Sequence, residues 1–123
     1  MVKYCLSFRN ALKKICKEYK GKKNKQAIIN SLKDIANNIG NLNNYPDSTN
    51  FCKINDFTIY KIKTPLPGKS KRKGLRVFVA VLKETGIFIM LYAKSKQESL
   101  KRHEVAELIS KCLKEGPSET LEK

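Results

Sequence analysis

Chemistry is most concentrated in Gly68-Lys69-Ser70-Lys71-Arg72-Lys73-Gly74-Leu75-Arg76, where five of nine residues are Lys or Arg and glycines flank the basic run. Val77-Phe78-Val79-Ala80-Val81-Leu82 follows, an apolar, β-branched run that predicts a buried strand. A mobile cationic loop therefore runs into a stiff element, and Arg76 is the first charge the strand would hold in a fixed direction. Such a junction suits binding a phosphate backbone at one rigid spot. The plainer alternative is a solvated Lys-rich loop.

The rest of the composition bears on that choice. The chain has 123 residues, 26 basic against 11 acidic, for a formal net charge of +15. Its length argues for one domain, and 41% hydrophobic residues suffice for a core. A domain this basic seeks polyanions: nucleic acid first, then acidic protein, then anionic membrane. No apolar run approaches the ~18 residues of a transmembrane helix. Met1-Val2-Lys3-Tyr4-Cys5-Leu6 does not read as a signal peptide. Cys5, Cys16, Cys52 and Cys112 include no C-x-x-C pair, and His103 has no ligand-spaced partner, so no metal site is expected. Cys16 and Cys112 fall on apolar helix faces and read as buried free thiols, which fits a reducing cytoplasm.

The elements that must position the basic loop follow from periodicity. Alternation over residues 2–6 predicts a short strand, and Ser7 can cap a helix after it. Phe8, Leu12, Ile15, Cys16 and Tyr19 predict a first helix, broken at Gly21; Ile28, Leu32, Ile35, Ala36 and Ile39 predict a second, stopped by Gly40. Lys13, Lys14, Lys17, Lys20, Lys22, Lys23 and Lys25 form their outer, solvated faces. An Asn-rich loop leads to an edge strand at Phe51–Ile54, a turn at Asn55-Asp56 and a strand at Phe57–Lys63. Pro65, Pro67 and Gly68 open the basic loop. Leu75–Leu82 and Ile87–Tyr92 form a hairpin around Glu84-Thr85-Gly86. A turn centred between Glu84 and Thr85 pairs Leu82 with Ile87 and sets Arg76 opposite Ala93, so that Arg76, Tyr92 and Lys94 share one end. Ser95-Lys96-Gln97-Glu98 reads as a capping box for a last helix, ended by Gly116-Pro117. The expected fold is α+β: an N-terminal strand and helical hairpin, an antiparallel meander of about four strands and a C-terminal helix, as one domain over 1–116 with a flexible tail over 117–123.

Tyr60-Lys61-Ile62-Lys63, then Gly68-Lys69-x-Lys71-x-x-Gly74-x-Arg76-Val77, then Leu91-Tyr92-Ala93-Lys94-Ser95 before a helix resembles the RelE/HigB toxins of type II toxin–antitoxin systems. Members often carry a G-K-G-K-S-G-G-x-R-V loop and a later Y-S-K. Lys69 and Lys71 match the loop lysines, Arg76 the following Arg and Lys94 the late Lys. Arg72 stands where Ser is common, Lys73 where the first Gly is common and Lys63 where Arg is common. The resemblance implies a RelE-like fold and a ribosome-dependent mRNA endoribonuclease that inhibits translation without metal or cofactor. It also implies mRNA on the ribosome, rRNA and a cognate antitoxin as partners, no membrane, and a cytoplasmic location.

In that reaction the RNA 2′-OH attacks the adjacent phosphorus. A base takes the 2′ proton, an acid protonates the leaving oxygen, and cations hold the phosphorane charge. Arg76 suits the last role because its fork grips two oxygens. Lys71, crowded by other cations, is the candidate base, and Lys94 the candidate acid or second clamp. Lys69, Arg72 and Lys73 are candidate RNA contacts. Tyr92 could stack on a base or assist proton transfer, and His103 reads as an exposed helix residue. Two rival readings use the same scaffold: a non-catalytic RNA- or DNA-binding module, and an interaction module for an acidic protein.

Overall fold

The structure is a computed structural model, and it describes residues 1–97 and 99–121. The first helical hairpin forms where the apolar stripes predict it. Helix α1 (Leu6–Glu18) buries Phe8, Ala11, Leu12 and Ile15, and α2 (Lys22–Ala36) buries Ile28, Ile29, Leu32 and Ile35. Gly21 joins them at φ 101°, a left-handed conformation that L side chains resist. The seven lysines of the outer faces are exposed. Two boundaries differ from expectation. Cys5, not Ser7, is the residue before α1, and the Ser7 hydroxyl donates to Ile89 O at 2.7 Å instead. Helix α2 ends at Ala36, and Ile39 lies in a separate 3-10 segment, Ile39–Asn44, interrupted by non-helical Asn41.

The sheet has five strands rather than about four, and it is mixed. Its order is β1-β5-β4-β3-β2. The elements are β1 (Val2–Tyr4), β2 (Ser48–Ile54), β3 (Phe57–Thr64), β4 (Leu75–Leu82) and β5 (Thr85–Ala93). Strand β1 pairs parallel to β5, whereas β2 to β5 form the expected antiparallel meander. The edge strand β2 starts at Ser48, before Phe51.

The β4–β5 register also differs. Leu82 pairs with Thr85 across a tight turn in which Lys83 takes φ 56°. A bulge where Phe78 and Val79 pair with Met90 and Phe88 then brings Arg76 opposite Tyr92, not Ala93.

The last helix, α3 (Arg102–Glu115), starts later than its capping signal suggested. Ser95 and Lys96 lie in a turn, and Glu98, the acidic half of that signal, lies outside the described residues. Glu104 performs the corresponding job, accepting from the Lys101 amide at 2.8 Å. Arg102 donates to Lys53 O of β2, while Cys112 is disulfide-bonded to Cys5. Helix α3 thus runs from the β2 edge of the sheet to the β1 edge. The bond corrects the reading of Cys112 as a free thiol; Cys16 and Cys52 lie outside it, and both are half-buried. The tail expected to be flexible is anchored at least to Ser118, which exchanges two backbone hydrogen bonds with Tyr4. Among the described residues no helix is long and apolar enough to cross a membrane.

Candidate nucleic-acid site

Cross-strand partners share a sheet face, so the register defines which side chains meet. One row across the sheet reads Lys63, Arg76, Tyr92, and the next reads Lys61, Phe78, Met90. The face is therefore cationic at the loop end and aromatic beneath. Phe78 stacks on Tyr92 at 6.0 Å and meets Phe51 edge-on at 5.3 Å.

Lys61 sits at the boundary. Its Nζ donates to Ser99 Oγ at 2.7 Å and lies 5.9 Å from the Phe78 ring centre. Partial burial, then the charges of Arg76, Lys94 and Lys63, hold its ammonium below the usual lysine pKa. Sequence reasoning did not single Lys61 out. The available signal was its alternation with Tyr60 and Ile62, which puts a lysine on the side shared with Ile59 and Lys63.

The basic loop is built around Arg76. Only 4% of this residue is exposed. Its guanidinium donates to Lys71 O at 3.0 Å, Leu75 O at 3.2 Å and Arg72 O at 2.8 Å. It is not the free phosphate fork that the sequence suggested, because it is buried and three of its five N–H donors are spent on the loop backbone. Lys71–Lys73 accordingly form one 3-10 turn, and Lys73 needs no positive φ. Gly74 follows because a Cβ there would collide with the Thr64 carbonyl and crowd Pro65. The Gly74 carbonyl accepts from the Lys94 amide at 2.9 Å, tying the end of β5 to the loop.

The other expected residues separate into two groups. Lys69, Arg72, Lys73 and Lys94 are exposed around the cationic end of the face, as is Lys63. Lys71 is exposed too, but its Nζ pairs with Asp47 at 3.0 Å. That ion pair engages the amine that the base role would need unengaged. Tyr92 is 5% exposed, with its ring against Phe78 and its hydroxyl buried without a hydrogen-bond partner among the described residues. Its ring is thus unavailable for stacking on RNA. His103 is exposed on α3. Compared with protein-family models, curated proteins and solved structures, the chain matches none.

Proposed function

We propose that this chain is a RelE/HigB-like toxin, a ribosome-dependent endoribonuclease that cuts mRNA without metal or cofactor. The observation that carries the reading is the row geometry: Lys61 and Lys63 stand on one sheet face beside Arg76, with Lys94 at the end of the same hairpin. In this mechanism the neutral Lys61 amine takes the 2′-OH proton, and the resulting alkoxide attacks the adjacent phosphorus. Lys63 and Lys94 hold the phosphorane charge, and the Lys94 ammonium returns a proton to the leaving 5′ oxygen. The products are a 2′,3′-cyclic phosphate and a 5′-OH. Arg76 acts indirectly, fixing the loop and depressing the Lys61 pKa. Lys69, Arg72 and Lys73 track the RNA backbone.

The ribosome supplies substrate positioning that a few surface lysines lack. The charge of +15 assists docking on rRNA. A cognate antitoxin with an acidic segment covers the Lys69–Arg76 end. The activity places the chain in the cytoplasm, where the Cys5–Cys112 bond is shielded by burial, the two residues being 1% and 3% exposed.

The test is cleavage of mRNA on programmed ribosomes together with growth arrest on induction. Wild-type protein should cut and arrest growth, and folded Lys61→Ala should do neither. A folded wild-type protein that binds RNA yet neither cuts nor arrests growth would establish the binding-module reading instead.

A further inference from the structure

Beside the cationic end of the sheet lies a groove of about 390 Å³ that the catalytic reading does not use. Tyr45, Pro46 and Pro65 contribute to its walls, Asp34 of α2 lies within it, and Lys63 and Lys71 line it as well. Lys63 therefore belongs both to the groove and to the row with Arg76. The Tyr45 hydroxyl donates to the Asp34 carboxylate, which fixes the ring and the carboxylate against each other. Burial, then the hydrogen bond and charge of Asp34, push the Tyr45 phenol well above its usual pKa, so it remains a donor.

We infer that this groove is a nucleobase subsite that selects guanine in single-stranded RNA, next to a phosphate held at Lys63. This rests on the RNA-binding reading above and extends it to base identity. An anion is a poor occupant, because Asp34 lies inside and Asp47 pairs with Lys71 nearby. A neutral planar ring linked to a phosphate satisfies both halves: proline and tyrosine surfaces for the ring, cations for the phosphate.

The hydrogen-bonding groups choose among the bases. A carboxylate accepts up to about four hydrogen bonds, so Asp34 can accept others beyond Tyr45. Guanine alone offers two adjacent donors on its pairing edge, N1–H and the N2 amino group. Cytosine and adenine place an acceptor nitrogen beside their amino group, and uracil flanks its single N–H with carbonyls. Each of these would turn a lone pair toward the carboxylate. The Asn30 side chain, whose oxygen already accepts from Gln26 at 2.7 Å, has its amide N–H groups to offer guanine O6.

The test uses the full chain and three short RNAs at low salt, followed by fluorescence anisotropy: oligouridine, the same oligomer with one central guanosine, and the same with one central inosine. Inosine differs from guanosine only in lacking the amino group. The guanosine oligomer should bind roughly tenfold more tightly than the inosine oligomer, the worth of one hydrogen bond to a charged group. Asp34→Asn should erase that difference, and Tyr45→Phe should diminish it, with circular dichroism to verify folding. Salt-sensitive binding that is indifferent to base identity would overturn the subsite and leave the RNA-binding reading standing. Discrimination that survives Asp34→Asn would also overturn it. Failure to bind any of the three RNAs would overturn both.

Discussion

A lysine can serve as a base at physiological pH only if its ammonium form is made costly. Lys61 meets that condition twice, through partial burial and through Arg76, Lys94 and Lys63 nearby. The cleavage rate should therefore rise with pH, as the amine loses its proton, with a midpoint below the ~10.4 of a free lysine. Removing a neighbouring cation relieves the depression, so Lys94→Ala should move that midpoint upward while also slowing the plateau rate. Single-turnover rates across a pH series would resolve the two effects, and an unmoved midpoint would reject the electrostatic account. Lys61→Arg should be as inactive as Lys61→Ala, since a guanidinium does not release its proton. Either loss should be on the order of 10² to 10⁴, the worth of a positioned acid or base. Sequence alone gave the cationic cluster but assigned the base to Lys71. Local crowding was visible there; the Asp47 partner, brought in from another loop, was not.

At the level of elements, Arg76 turns a Lys-rich loop into a defined one. Its three carbonyl acceptors make it a backbone brace, so this strand-end charge contributes to the fold itself. Arg76→Ala should cost about 2–3 kcal/mol, since hydrogen bonds from a charged donor are lost and carbonyls are left unpaired. It should also expose the loop to trypsin, giving cleavage after Lys71, Arg72 or Lys73 that the parent protein resists. Arg76→Lys should recover only part of the protection, because an ammonium lacks the fork geometry. Equal proteolysis of parent and Ala variant would remove the bracing role.

The helices were legible because their spacing is local: Phe8 to Ile15 and Ile28 to Ile35 need no partner to be recognised. The hairpin register was not, since it depends on the Lys83 turn and on a bulge that alternation does not announce. Tyr92 was misread for the same reason. Facing Arg76 and stacked on Phe78, it belongs to the packed face rather than to the RNA.

Over the whole molecule, charge and cross-linking set the behaviour. RNA affinity should fall with salt by about 0.7 in log units per phosphate contact on single strands, and replacing Lys69 and Lys73 should flatten the slope. Filter binding across a salt series would show it, and a flat response would remove nucleic acid as partner. The Cys5–Cys112 bond closes 107 residues, which the chain-entropy view values at about 4.7 kcal/mol. Thermal unfolding with and without reductant should separate by a corresponding margin, and Cys112→Ser should melt like the reduced protein. Nothing near either cysteine signalled the pairing, because two residues so far apart are joined only once the sheet and α3 are both in place. That dependence has a consequence for synthesis. Ser7 reaches across 82 residues to Ile89, and β1 has no partner until β5 is made. A chain emerging from its N-terminus carries its first strand and hairpin unpartnered until the final third appears, and the seam with Ser118 closes last. Any product that stops short of these residues lacks a sealed sheet, so competence arrives only once β5 and Ser118 have both been made.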